Sequence, residues 1–383
     1  MVRRRVTGSA NEGRGYDSPI MGLNRDMDQL RTALTGWLCT RLGAPDLRIG
    51  PIDSPRTSGV ANETILVDTE WTTVGDTIRQ RFVVRVATSR PLFTDRPIHT
   101  QYLMYEALGD EPEVPVPRLV GYESDPEIIG APFFVAERVD GSVPGDRPHF
   151  TESGFVLDAS PAERRRLWES AVDALSQLHR VPTNRFDFLL PADPDHSGLQ
   201  AELAYWRGYA DQLDVGPSWN AEILDHGWNW LNANQPSLQP TALSWGDARI
   251  GNMIFRDFEV VALLDWDTVS LAGPAADLAW WIQMDRHAWE LLTGLGTPDE
   301  LVDRWQANTG REVDDLQWHL VFTAFRLGVI RMKLRRMMAS DGLLPPSAAL
   351  PGAHNESIEL LGLWLDVTPQ SERVVRKPSV RGL

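Results

Sequence analysis

The stretch "SWGDARIGNMIFRDFEVVALLDWD", Ser244 to Asp267, decides how this chain is read. Two apolar runs, "NMIF" and "VVALL", flank the polar "RDFE", the pattern of a β-hairpin that reverses near Asp257 and Phe258. A hairpin brings the start of one strand beside the end of the other. Asn252 and Asp265 then meet at one end, with Asp247 in the loop just before them. One amide and one carboxylate suit a hard cation such as Mg²⁺, which keeps water and takes substrate phosphates as further ligands. A further Asp that need not ligate can orient an attacking hydroxyl. That equipment serves phosphoryl transfer, which depends on positioning and on neutralising charge. Taken alone, Asp247 and Asn252 also fit a turn with local Asx-type hydrogen bonds.

Upstream of this stretch the patterns are mostly β. A helix is expected at about Asp26 to Leu42, with Leu30, Leu34 and Leu38 on one face. The Gly/Pro/Ser-rich "GAPDLRIGPIDSPRTSG" reads as a loop. Strand patterns follow in "NETILVDTEWTTV" and "IRQRFVVRVAT", separated by a turn at Gly75-Asp76, and then in "VPVPRLVGYES" and "APFFVAERVDG". Between them "IHTQYLMYEALG" reads as a helix ending at Gly109. Beyond Gly141 the chain turns helical. "SPAERRRLWESAVDALSQLHRV" opens with a capping box, Ser160 with Glu163, and has Pro161 at the first helical position. Leu167, Ala171, Leu175 and Leu178 form its buried stripe. Further helices are expected near Leu199–Leu213, Glu222–Asn232, Ala275–Thr293, Pro298–Thr309 and Asp315–Ser340. The expected architecture is α+β and bilobal: a basic tail (1–20), a small antiparallel β-rich lobe (21–141), a larger helical lobe (142–366) and a flexible tail (367–383).

Composition narrows the function classes. The chain has 383 residues, 42% hydrophobic and 23% charged, enough for two lobes with a sizeable core. The net charge of −16 argues against general nucleic-acid binding. A single cysteine, Cys39, excludes a disulfide within the chain and points to a reducing, cytoplasmic setting. No apolar run approaches membrane-spanning length.

The blocks "WGDARIGN" and "LLDWDTVSLAGPAADLAWW" resemble the catalytic region of the aminoglycoside phosphotransferase family, whose fold resembles protein kinases. The likeness is to the branch related to the kinase-like domain of certain acyl-CoA dehydrogenase family members. "RFVVRVAT", "VPVPRLVGYESDPEIIGAPFFVAERVDG" and "LSQLHRVP" extend it over most of the chain. The resemblance implies an ATP- and Mg²⁺-dependent kinase acting on a hydroxyl of a small molecule, whether aminoglycoside-like, acyl-CoA-like or other. It makes Asp247 the catalytic base, Asn252 and Asp265 the metal ligands, and Asp277 the anchor of the catalytic loop. Arg85 stands where kinases carry a phosphate-pairing Lys, on the same strand face as Val83. An Arg keeps its charge and forks onto phosphate oxygens. Gln101 falls where a helix Glu is expected, Gly59 lies in the phosphate-covering loop, and the backbone of Glu137 and Val139 would hold the adenine edge beside Ala136.

Other residues stay open. Asp267 would touch a second metal or be solvated, and Trp245 replaces a customary His. His179 reads as a packing residue bonded to backbone; Trp280, Trp281 and Trp289 read as core. Arg326, Arg331, Lys333, Arg335 and Arg336 make a basic helix side, either solvated or a guide for an anionic substrate. Two alternatives to the kinase reading remain. One is a catalytically weak nucleotide-binding scaffold of the same fold. The other is a metal-dependent glycosyltransferase using "DWD", which requires a Rossmann-like βα series ahead of it.

Overall fold

A computed structural model describes residues 26–53, 62–213, 215–237, 241–368 and 375–383. The expected basic tail and Gly59 lie outside the described residues. Helix α1, Met27–Leu42, is capped by the Asp26 carboxylate and ends at left-handed Gly43. Strands β1 (Arg48–Asp53), β2 (Glu63–Thr73) and β3 (Asp76–Val86) follow, then helix α2 (Ile98–Leu108) and strands β4 (Leu119–Glu123) and β5 (Phe133–Glu137). They form one five-stranded sheet in the order β1-β2-β3-β5-β4, antiparallel throughout. Strand β1 corrects the loop expected between α1 and β2. It is an edge strand whose register shifts between Ile49 and Ile52, which accommodates Gly50 and Pro51. The β2–β3 turn also differs from expectation. Thr73 pairs with Asp76, so the two turn residues are Val74 and Gly75, both at positive φ.

Alternation along β3 sets the orientation of the lobe. Phe82, Val84 and Val86 are buried with Leu34 and Leu38 of α1 and with Ile65, Val67, Phe133 and Val135. Val83 and Arg85 therefore look to the other face of the sheet, as the period-two pattern requires.

The remaining elements are α3 (Phe155–Asp158), α4 (Pro161–Leu178), α5 (Gly198–Asp211), α6 (Trp219–Ala233), β6 (Met253–Arg256), β7 (Glu259–Leu263), α7 (Pro274–Met284), α8 (Ala288–Leu291), α9 (Pro298–Thr309), α10 (Leu316–Ser340) and α11 (Glu356–Trp364). The Ser160–Glu163 capping box is formed, and the stripe of Leu167, Ala171, Leu175 and Leu178 is fully buried. The helix expected over Ala275–Thr293 is two helices, α7 and α8, and α11 is an element the sequence pattern leaves unannounced. The segment 375–383 is not a free tail. Val380 is buried, and Arg381 donates its backbone N–H to Asp299 and pairs with Asp303 on α9.

The β6–β7 hairpin reverses at Asp257 and Phe258, both at positive φ. It is sewn to the start of the helical region by paired hydrogen bonds between Ser142 and Phe255, each 2.8 Å. That closeness explains Gly141, where a Cβ would meet Phe255 O and Ile254 Cγ2 at 2.5 Å. No helix among the described residues is long and apolar enough to cross a membrane.

Candidate active site

Asp247 sits in a loop held from behind by Asp277, which is fully buried in the first turn of α7. Oδ1 of Asp277 accepts from Ser244 Oγ at 2.9 Å and Gly246 N at 2.8 Å. Its Oδ2 accepts from Trp245 N at 2.6 Å and contacts His179 Nε2 at 2.8 Å. Trp305 Nε1 donates to His179 Nδ1 at 2.9 Å, which leaves Nε2 as the nitrogen that donates to Asp277. His179 is thus a buried side-chain relay and not a ring bonded to backbone. Gly246 must be glycine: its φ is 90°, and a Cβ would lie 2.0 Å from Thr268 O. Trp245, in the place of the customary His, donates Nε1 to the carbonyls of Leu264 and Asp265 at 3.1 and 3.0 Å. Its indole thereby ties this loop to the end of β7.

Ahead of that anchor the three oxygen-bearing residues share one corner. Asn252 Nδ2 donates to Asp247 Oδ2 at 2.7 Å and to Asp247 O at 2.9 Å. The Leu264 N–H donates to Asn252 O at 2.9 Å, so Asp265 follows directly on the residue paired to Asn252. Asp265 adopts a left-handed φ of 63°, a conformation that a non-glycine residue keeps only when its surroundings over-determine it. Because both Asn252 bonds use Nδ2, its Oδ1 remains available to a cation. Among the described residues no three His, Cys, Asp or Glu side chains group as a metal cage. A carboxylate plus an amide oxygen nevertheless fits Mg²⁺, which completes its shell with water and phosphate oxygens.

Arg85, Gln101 and Asp267 converge on the other wall. Gln101 is 2% exposed and donates Nε2 to Asp267 Oδ1, not to Arg85. Asn62 Nδ2 donates to the same oxygen at 2.8 Å. Arg85 Nη2 lies 3.8 Å from Asp267 Oδ2, and its Nη1 donates to Thr64 Oγ1 at 2.6 Å. Asp267 is therefore buried and partnered, which corrects the solvated alternative. Burial first, then the nearby Asp265 charge, push its pKa well above the usual carboxylate range against the pull of Arg85. At the outer end of the sheet, Glu137 donates its N–H to Arg118 O at 2.8 Å. Ala136 is buried, and Val139 follows two residues beyond Glu137 in the loop after β5.

Several participants carry no sequence signal. Trp280, expected as core alone, also donates Nε1 to Asp247 Oδ1 at 2.6 Å. Arg249 Nε donates to that same oxygen at 3.1 Å, and its two terminal nitrogens fork onto Asp146. Burial disfavours the Arg249 cation, but the charges of Asp247, Asp146 and Asp265 outweigh it and raise its pKa. Asp285 stands nearby, and burial raises its carboxyl to about 7, opposed by Arg249 and helped by Asp146 and Asp247. Of the basic side expected on α10, Arg326 is buried, while Arg331, Lys333, Arg335 and Arg336 stay partly exposed. Arg326 is 1% exposed, donates to Gly246 O at 3.2 Å, and lies over the rings of Trp206, Trp280 and Phe322. Arg331 pairs with Glu356, and Arg335 donates to His354 O.

Residues 54–316 match the phosphotransferase enzyme family. Over 209 residues the chain is 29% identical to acyl-CoA dehydrogenase family member 11 of Gallus gallus, covering 52% of this chain and 25% of that protein. Over 299 residues it is 24% identical to acyl-CoA dehydrogenase family member 10 of Mus musculus, covering 73% and 26%. The chain thus spans about a quarter of the length of these two relatives. Among solved structures, a candidate aminoglycoside phosphotransferase from Ralstonia eutropha superposes with a TM-score of 0.63 at 21% identity, covering 88% of this chain and 98% of that one. The GDP complex of aminoglycoside 2'-phosphotransferase-IIIa gives 0.54 at 15% identity, covering 81% and 95%. Macrolide 2'-phosphotransferase type I gives 0.52 at 16%, covering 88% and 99%. The fold is the bilobal, kinase-like fold of these enzymes, with an antiparallel sheet in one lobe and helices in the other. The chain belongs to the phosphotransferase enzyme family.

Proposed function

We propose that the chain is an ATP- and Mg²⁺-dependent small-molecule kinase that moves the γ-phosphate to a hydroxyl. The observation that carries this reading is the shared corner of Asp247, Asn252 and Asp265, with Asp247 Oδ2 2.7 Å from Asn252 Nδ2. Asp247 Oδ1 already accepts from Arg249 and Trp280, so the carboxylate is held in one orientation. Its Oδ2 has one donor and keeps capacity for the acceptor hydroxyl, whose proton it takes as the new O–P bond forms and the bond from the γ-phosphorus to the bridging oxygen breaks, releasing ADP. Arg85, on the opposite wall, pairs with phosphate oxygens, and the Glu137 carbonyl and Val139 backbone hold the adenine edge. Asn252 and Asp265 would hold Mg²⁺, which would supply neutralisation of the phosphate charge. An antiparallel sheet in place of a Rossmann-like series weighs against the glycosyltransferase alternative.

The acceptor is a hydroxylated small molecule. The aminoglycoside and macrolide phosphotransferases among the structural neighbours, and the acyl-CoA dehydrogenase relatives, nominate aminoglycosides, macrolides and hydroxyacyl thioesters for a first screen. The test is an ATP-consumption screen over such acceptors with the wild-type chain and Asp247→Asn. Turnover that falls about 10²–10⁴-fold in the variant supports the assignment. Turnover indifferent to the substitution, or none with any hydroxyl compound, removes it.

A further inference from the structure

A cavity of 530 Å³ opens beside His179 and Trp305, and none of Asp247, Asn252, Asp265 or Arg85 is in its walls. Its volume falls in the range of small-molecule sites. Val181, Leu199, Leu243 and Trp305 supply a buried apolar floor.

Two features of this cavity favour a negatively charged ligand. First, α7 begins here. Gly273, Pro274 and Ala275 line the cavity, and no side chain caps this 11-residue helix. Pro274 has no N–H and Ala276 N is bonded to Gly273 O, so this end offers a ligand the Ala275 N–H and the positive end of the helix dipole, which it shares with the buried Asp277 of the same turn. Second, His319 lines the cavity at 5% exposure, and its ring has no hydrogen-bond partner among the described residues. Its Nδ1 is sealed inside the protein, out of a ligand's reach, and Nε2, likewise without a hydrogen-bond partner among the described residues, is the ring nitrogen a ligand in the cavity can meet. Arg180 and Arg311 stand in the wall with two acids, Glu312 and Asp314, and Arg311 is steadied by donating Nη1 to His179 O at 3.1 Å. All four are exposed to water, so their charges largely offset and the preference rests on the helix start and His319.

We propose that this cavity binds a small organic anion, an apolar or aromatic body lying on Trp305, Leu199 and Leu243 with its carboxylate or phosphate at the start of α7 beside His319. The site is separate from the phosphoryl-transfer corner, yet adjoins it through one relay. His179 and Trp305, both in the cavity wall, hold the Asp277 carboxylate that fixes the Trp245 and Gly246 amides.

The test needs neither nucleotide nor acceptor. The full chain is titrated calorimetrically with 1-naphthoate, 1-naphthyl phosphate, the neutral 1-naphthalenemethanol and inorganic phosphate. Two variants accompany it. His319→Phe keeps an aromatic ring and removes both nitrogens. Ala275→Glu adds an acid to the first turn of α7, which favours the helix while repelling an anion. If His319→Phe fails to fold, Ala275→Glu carries the comparison alone. The expected result is one saturable site for a naphthyl anion, at least tenfold weaker for the alcohol and at least tenfold weaker in each folded variant. A tighter naphthoate identifies an organic acid as the natural class, and a tighter naphthyl phosphate identifies a phosphate ester. Absence of saturable binding overturns the proposal, as does equal affinity for the alcohol. So does response to inorganic phosphate alone, or anion binding unchanged by either substitution, which would place the anion in another site.

Discussion

Replacing Asp277 with Asn probes the anchor of the catalytic loop with almost no change of shape. The carboxylate accepts from Ser244 Oγ and Gly246 N on one oxygen and contacts Trp245 N and His179 Nε2 on the other. An Asn offers one oxygen and one NH₂. Turned toward Trp245 N and His179, the NH₂ meets two donors that cannot become acceptors. Turned toward Ser244, it meets a hydroxyl that can rotate to accept, and strands only the Gly246 N–H. The variant therefore loses at least one charge-assisted hydrogen bond in a fully buried place, about 1.5–3 kcal/mol. The surviving bonds also lose their charge assistance, so the expected destabilisation is about 3 kcal/mol, a large part of the ~5–15 kcal/mol that holds a typical domain. Urea unfolding should show a lower midpoint with an unchanged slope. Hydrogen exchange should show the Trp245 and Gly246 amides losing protection. A midpoint within about 0.5 kcal/mol of wild type, with both amides exchanging at the wild-type rate, would refute the anchoring role.

Three further outcomes follow from the geometry. Trp280→Phe removes the indole donor 2.6 Å from Asp247 Oδ1 and should lower kcat about 10- to 100-fold, with KM for nucleotide unchanged; steady-state kinetics with an unaltered kcat would contradict it. Asp267→Asn deletes the carboxylate 3.8 Å from Arg85 and should weaken nucleotide binding about tenfold, roughly 1.4 kcal/mol. Adding Gln101→Glu, at a side chain already touching Asp267, should restore most of that loss, and failure of the double variant to recover would sink the view that a carboxylate positions Arg85. Burial and the Arg326 charge lower the His319 pKa to about 4. A folded value below the ordinary ~6.5 means stability that is present above pH 6.5 and lost as pH falls toward 4, up to about 3 kcal/mol. Urea midpoints between pH 7 and pH 4.5 should fall less in His319→Phe than in wild type, and an equal fall would count against it.

Where local patterns and long-range packing agree, the sequence was readable. The β6–β7 hairpin stands out because its two apolar runs and polar turn are contiguous, and pairing them needs no distant partner. The α4 capping box is equally local. Period-two alternation put Arg85 on the open face of β3. Strand β1 was hidden because Gly50 and Pro51 look like a loop, and only pairing with β2 across a bulge makes the segment a strand. Arg326 and Trp280 were illegible for a different reason. Their partners, Gly246 and Asp247, lie 80 and 33 residues away, and a helical pattern does not say which face meets which loop. Gln101, taken by its position alone, reads as a missing charge. The acid near Arg85 comes from a distant part of the chain, at Asp267, 3.8 Å from its guanidinium.

The central claim is that Asn252 and Asp265 hold a divalent ion against a nucleotide beside Asp247. Calorimetric titration with ATP, in Mg²⁺ and again in EDTA, tests it on the wild-type chain and on Asp265→Asn. ATP in Mg²⁺ should bind one saturable site, weakened in EDTA, and the affinity of the Asp265→Asn chain should no longer respond to Mg²⁺. Identical Mg²⁺ dependence in the two chains, or no ATP binding by the wild type, would contradict it.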